Sequence, residues 1–187
     1  MCPVRNTRSA YGSVTKALHW LVFFLFANQF VVAALMLNAG DDGESWGVSQ
    51  DTWYEWHKSV GVVVLAVALA RYAWRRATPL PDWAPNLTAR EKRLIHVVER
   101  SLYICMVLMP VSGYVFVMSG GYPLNFFWLG PFPDLIGKHE GLSAVAEFIH
   151  SATAVVIVLS LLAHWTIVAL HQRRHRDRYL QRMLPMV

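Results

Sequence analysis

Four apolar runs, each about long enough to cross a bilayer, limit what this chain can fold into. About 30 Å of hydrocarbon, at about 1.5 Å of helix per residue, needs about 20 mostly apolar residues. The runs cover roughly residues 16–37, 53–74, 94–118 and 142–171. In hydrocarbon a segment must satisfy its own backbone polar groups, so runs of this length read as helices. The pattern predicts an all-α, integral membrane four-helix bundle, one domain over residues 1–187 with a basic tail at 172–187. The first run is too long for a signal-peptide core and no convincing cleavage site follows it, so it is expected to stay as a helix. Pro79, Pro81 and Pro85 stop the second helix. No internal repeat or low-complexity segment appears.

Composition agrees with a bilayer solvent. Only 16% of residues are charged, against about a quarter in soluble domains. The net charge of +5 could suggest a nucleic-acid partner, but its distribution favours a membrane and no nucleic acid. Most of the 17 Lys and Arg flank the runs on one side. They are Arg5, Arg8 and Lys16, then Arg71, Arg75, Arg76, Arg90, Lys92 and Arg93, and last Arg173, Arg174, Arg176, Arg178 and Arg182. The other side carries Asp41, Asp42, Glu44, Asp51, Asp134 and Glu140. By the positive-inside rule both termini are expected in the cytoplasm. Trp20, Trp74 and Trp165 then approach the inner interface, and Trp53, Trp56 and Trp128 the outer one. Cys2 and Cys105 belong to no C-x-x-C or C-x-x-C-H pattern, which excludes covalent c-type haem and a cysteine zinc site.

Ionisable groups within a span are functional candidates. His19 and His57 each lie one turn into a helix, at opposite depths, and the fourth helix carries His150, His164 and His171. The step from His150 to His164 is about four helical turns. It returns within about 40° of the same helix face, about 21 Å further along. Matching depths pairs His57 with His150 on the outer side and His19 with His164 on the inner side. Two imidazole pairs at two levels suit two b-type haems, whereas zinc asks for tetrahedral clusters. Taken singly, an intramembrane histidine serves equally well as an interhelical hydrogen bond. Arg71 follows His57 by the same interval, where a guanidinium suits a haem propionate. Gly61 and Gly113 would leave room for a porphyrin face. His171 reads as a pocket wall or a snorkelling interfacial residue. His96, His139 and His175 read as solvated or interfacial, and the Arg-rich tail as a lipid-facing anchor.

With these residues in view, the chain resembles the bacterial cytochrome b561 family over nearly its whole length. The resemblance rests on His19-Trp20-Leu21, and on His57-x-x-x-Gly61 with Arg71. It continues through Tyr103 with Leu108 to Gly113, and His150, His164 and His171 with Arg182 to Pro185. It implies bis-histidine haems from His19 with His164 and His57 with His150, and a quinone pocket near the inner haem, where His171 is a candidate wall. The family's best-known member oxidises superoxide and reduces ubiquinone. By resemblance this chain would do so in the bacterial inner membrane, with Lys58 and Lys138 as the positive charges near the outer haem. Where that member has a second helix-three histidine, this chain has Glu99, a carboxylate placed to affect quinone protonation. The rival reading is an electron-carrier subunit on whose outer surface, around Trp46, Trp53 and Trp128, a periplasmic redox protein docks. A haem-free transporter is disfavoured because no helix breaks at mid-membrane.

Overall fold

The computed structural model describes residues 3–41, 43–83, 87–175 and 180–184. Cys2, Asp42, Pro85, Arg176, Arg178, Pro185 and the side chain of His175 lie outside the described residues. The chain forms four long helices, α1 (Ser13–Ala39), α2 (Gln50–Ala77), α3 (Ala89–Gly120) and α4 (Glu140–His175). Each runs past both ends of the run expected from sequence. The apolar run marks only what a bilayer would cover, and capping groups carry the helix into water. Ser49 Oγ accepts from Thr52 N to start α2. Thr88 and Glu91 form a reciprocal capping box at the start of α3, and Gly121, left-handed at φ 73°, closes its end.

α1 packs along α2, α3 along α4, and α2 along α3. The shared core comprises Val22 and Phe26, then Val60, Val64 and Ala68, Cys105 and Met106, and Ile157. Ala68, 0% exposed, is the small residue at which α2 meets its neighbours. Large apolar side chains cover much of the outside, among them Phe24, Ile104, Phe148, Val155 and Leu159. Such a surface is unfavourable in water and matches lipid tails. α1, α3 and α4 are long and apolar enough to cross a membrane. α2 differs from expectation here. Asp51, Glu55 and Lys58 at one end and Arg71 at the other leave only residues 59–70 free of charge, about 18 Å of helix.

α1 and α2 are joined through the acidic segment that holds Asp41 and Glu44. It contains a two-residue hairpin in which Glu44 pairs with Ser49 and Ser45 with Val48. Trp46 and Gly47 turn it at positive φ, 55° and 73°, the backbone a tight hairpin asks for. The α3–α4 connection is anchored on α2: Ser59 Oγ donates to Asn125 O at 2.8 Å and accepts from Phe127 N at 2.9 Å.

Described segments before α1 and after α4 meet at the opposite end of the helices. Buried Asn6 accepts from Gly12 N and Thr15 Oγ1 and donates to Pro79 O and Thr78 Oγ1. The tail segment Leu180–Arg182 folds back. Trp20 Nε1 donates to Met183 O, and Arg182 donates to Asp82 O and lies over the Tyr11 ring. This part of the tail, expected to face lipid, is therefore docked on protein. Lys16, counted as a flanking charge, is buried.

Candidate paired-imidazole site

The helices bring the four histidines together in two pairs. His57 of α2 faces His150 of α4 with ring centroids 6.2 Å apart and planes at 79°. His19 of α1 faces His164 of α4 at 6.4 Å and 49°. A metal bonded to two imidazole nitrogens at about 2 Å each, with each centroid about 1 Å behind its nitrogen, needs centroids about 6 Å apart. Both pairs meet that requirement, and they are separated along α4 by about 21 Å. Among the described residues no group of three or more His, Cys, Asp or Glu could hold a metal ion.

His150 Nδ1 lies 2.9 Å from Met109 O and 3.4 Å from Ser112 Oγ. Donation from Nδ1 to the carbonyl fixes the tautomer and leaves Nε2 free as a ligand. Gly113, read as room for a porphyrin face, lies against His150: a Cβ there would sit 2.9 Å from its Cε1. Gly61 is different: an added Cβ would meet Gln29 Nε2 at 3.4 Å, an ordinary contact. That amide donates to His57 O at 2.9 Å. Nδ1 of His57 and Oε1 of Gln29 are both buried without a partner.

Arg71 reaches the inner level, as its spacing from His57 requires. Its Nη2 lies 3.2 Å from His19 Nδ1 and its Nη1 donates to Leu18 O at 3.4 Å. The guanidinium also lies 5.6 Å from the Tyr103 ring centroid. Its contacts here are thus with the histidine's own element and an aromatic face. His171 is buried, which does not fit the snorkelling reading. Glu99 accepts from Arg75 Nε at 3.3 Å and lies 3.9 Å from His96 Nδ1, tying α2 to α3. His96 is exposed, with its ring edge on Trp83, and His139 Nδ1 accepts from Leu142 N to cap α4.

The two outer lysines are engaged. Lys58 Nζ donates to Pro123 O at 2.5 Å and Lys138 lies 3.9 Å from Glu140. Trp46 and Trp128 are 87% and 88% exposed, whereas Trp53 Nε1 donates to Ser45 O. Sequence reasoning missed Gln29, Ser112 and the Met109 carbonyl. Asn28 and Gln29 did leave a signal, as two amides inside an otherwise apolar run. Asn28 Oδ1 accepts from Trp56 Nε1 at 3.1 Å.

Two comparisons with known proteins bear on the family of this chain. The profile of the prokaryotic cytochrome b561 family matches residues 10–186. Cytochrome b561 homolog 2 of Escherichia coli (strain K12) is 24% identical over 183 residues, covering 96% of this chain and 93% of that protein.

Proposed function

The chain belongs to the prokaryotic cytochrome b561 family of membrane electron-transfer proteins, which implies a b-type haem, and on that premise we propose a di-haem protein carrying electrons between the two sides of the bacterial inner membrane. In this reading all four helices span the bilayer and both termini are cytoplasmic. The observation that carries it is the pair of facing imidazole couples at nearly equal separation, 6.2 and 6.4 Å. His57 with His150 would hold one haem and His19 with His164 the other. Bound there, haem would supply one-electron chemistry, with these histidines as the residues that would hold it.

The chain's own groups set ligation and access. The Met109 carbonyl holds the His150 tautomer, and Gly113 gives the ring its space. Arg71 places a fixed positive charge beside His19, where it favours an electron and any nearby carboxylate. α2, short of apolar length alone, is packed between α1 and α3, so its polar ends stay within protein or at the interface.

For substrates, superoxide is the donor on the periplasmic side and ubiquinone the acceptor, with His171 walling its pocket. Two superoxide ions each give up one electron and leave as oxygen, and the quinone takes two electrons and two protons. Lys58 and Lys138 supply the positive potential near the outer pair, reduced by their ties to Pro123 and Glu140. The second reading, a relay subunit for a periplasmic redox protein, is favoured by the exposed Trp46 and Trp128.

Haem content and superoxide-dependent ubiquinone reduction test these claims separately. The purified protein should hold two haems per chain, and replacing His57 and His150 together with alanine should leave one. A ratio near one in the wild type, or of two in the double variant, would overturn the pairing. Fully loaded protein that reduces no ubiquinone with superoxide would overturn the donor assignment and leave the relay reading.

A further inference from the structure

An open groove of about 950 Å³ runs along α3 and α4, and none of the four paired histidines lines it. Lys92, Arg93, His96 and Arg100 wall one end. Ile104 and Leu108 of α3, with Phe148 and Val156 of α4, wall the other. Positions 93, 96, 100, 104 and 108 recur at three- and four-residue spacing, so they share one helix face.

The length of α3 sets the depth of this groove. From Arg100 to Gly120 the helix runs about 30 Å, the whole thickness of the hydrocarbon. With Gly120, the last residue of α3, taken as the outer edge of the hydrocarbon, Lys92, Arg93 and His96 lie at or beyond the headgroup level. Trp83 marks the same interface, 5.9 Å from Lys92 Nζ and 4.9 Å from the His96 ring. Arg100, which the sequence reading left inside the third apolar run, sits where hydrocarbon begins. From there to Leu108 the groove descends about 12 Å, close to the reach of an acyl chain within one leaflet.

Glu99 is paired with Arg75 and also lies 3.9 Å from His96, so the charge at the upper end left outside any ion pair among the described residues is that of Lys92, Arg93 and Arg100. Among the described residues neither Arg93 nor Arg100 is in an ion pair, and both are exposed. Lys92, Arg93 and Arg100 above an apolar trough complement a phosphate joined to an acyl chain. A neutral quinone head would leave those charges unanswered.

We propose that this groove binds one anionic phospholipid, its phosphate among Arg93, His96 and Arg100 and a chain along Ile104, Leu108 and Val156. The site rests on α3 and α4 crossing the membrane, and not on the haem pairing or on superoxide chemistry.

Delipidated, haem-loaded protein titrated with phosphatidylglycerol, phosphatidylcholine or ubiquinone and read by native mass spectrometry tests this. Phosphatidylglycerol should bind at one site, at least about tenfold tighter than phosphatidylcholine. Arg93→Gln with Arg100→Gln should weaken phosphatidylglycerol binding about 30-fold. Ile104→Trp, which fills the trough without changing charge, should weaken it too. Arg173→Gln with Arg174→Gln, at the end of α4, should change nothing. An unaltered haem ratio in every variant separates loss of the site from loss of fold or of the haem reading. Equal binding of the two lipids would overturn the proposal. So would normal phosphatidylglycerol binding by the Arg93/Arg100 or Ile104 variants, an equal loss in the Arg173/Arg174 control, or displacement of the lipid by ubiquinone.

Discussion

Gly113→Ala adds one methyl group to α3 and separates the structural role of this glycine from its role at the outer imidazole pair. The new carbon would lie 2.9 Å from Cε1 and 3.0 Å from Nδ1 of His150. Carbon atoms rest comfortably at about 3.5–4.0 Å, so the ring must retreat by about 0.6–1.1 Å. Retreat stretches the 2.9 Å contact with Met109 O, a loss of about 1 kcal/mol. Alanine in place of a mid-helix glycine returns about 0.5–1 kcal/mol, so the fold itself should change little. A ligand position tolerates only about 0.5 Å of error, so under the proposed di-haem reading the haem held by His57 and His150 should suffer far more than the helix. Haem per chain should fall from two toward one, with helical content by circular dichroism unchanged. Gly61→Ala is the control, since its methyl would lie 3.4 Å from the end of the Gln29 side chain, and it should keep both haems. Two haems with an unaltered low-temperature spectrum in Gly113→Ala would refute this reasoning.

Two further predictions concern the extramembrane parts. Asn6→Ala removes both an acceptor for Gly12 N and Thr15 Oγ1 and a donor to Pro79 O. It should lower stability by about 3 kcal/mol, and faster proteolysis of the N-terminal segment before α1 would report it. In the α3–α4 connection, N–H groups of Gly137 and Ile136 donate to Asp134 and hold its carboxyl below the ordinary value. A depressed folded pKa means the turn's stabilisation is complete above about pH 4. It is lost as pH falls through the folded value. Amide protection of Ile136 and Gly137, corrected for intrinsic exchange, should be flat from pH 8 to 5 and fall only at lower pH. Loosening between pH 7 and 5 would contradict that sign, and Asp134→Asn should abolish the dependence.

Arg71 shows where legibility stopped. Its level follows from helical arithmetic, because the step from His57 to Arg71 is a fixed rise and nearly a fixed angle. Its partners do not, because a guanidinium on a long stem reaches in several directions, and here it finds His19, Leu18 and Tyr103. The two glycines carry the same lesson. A missing side chain is visible in sequence, but the neighbour beside it comes from another helix.

Sequence alone determined the quantities that repeat along one element: four helices, of which α1, α3 and α4 are apolar enough to cross a membrane, the ends at which positive charge gathers, and the level of each histidine along its own helix. These are one-dimensional, set by the fixed rise and turn of a helix and by the thickness of hydrocarbon. Only the tertiary structure decided which faces meet. It set His57 against His150 and His19 against His164, gave Gly113 to an imidazole, and folded the tail onto Trp20. It also opened the groove below Arg100, between α3 and α4. Helix rotation and packing are fixed by side chains distant in the chain, and no local period records them.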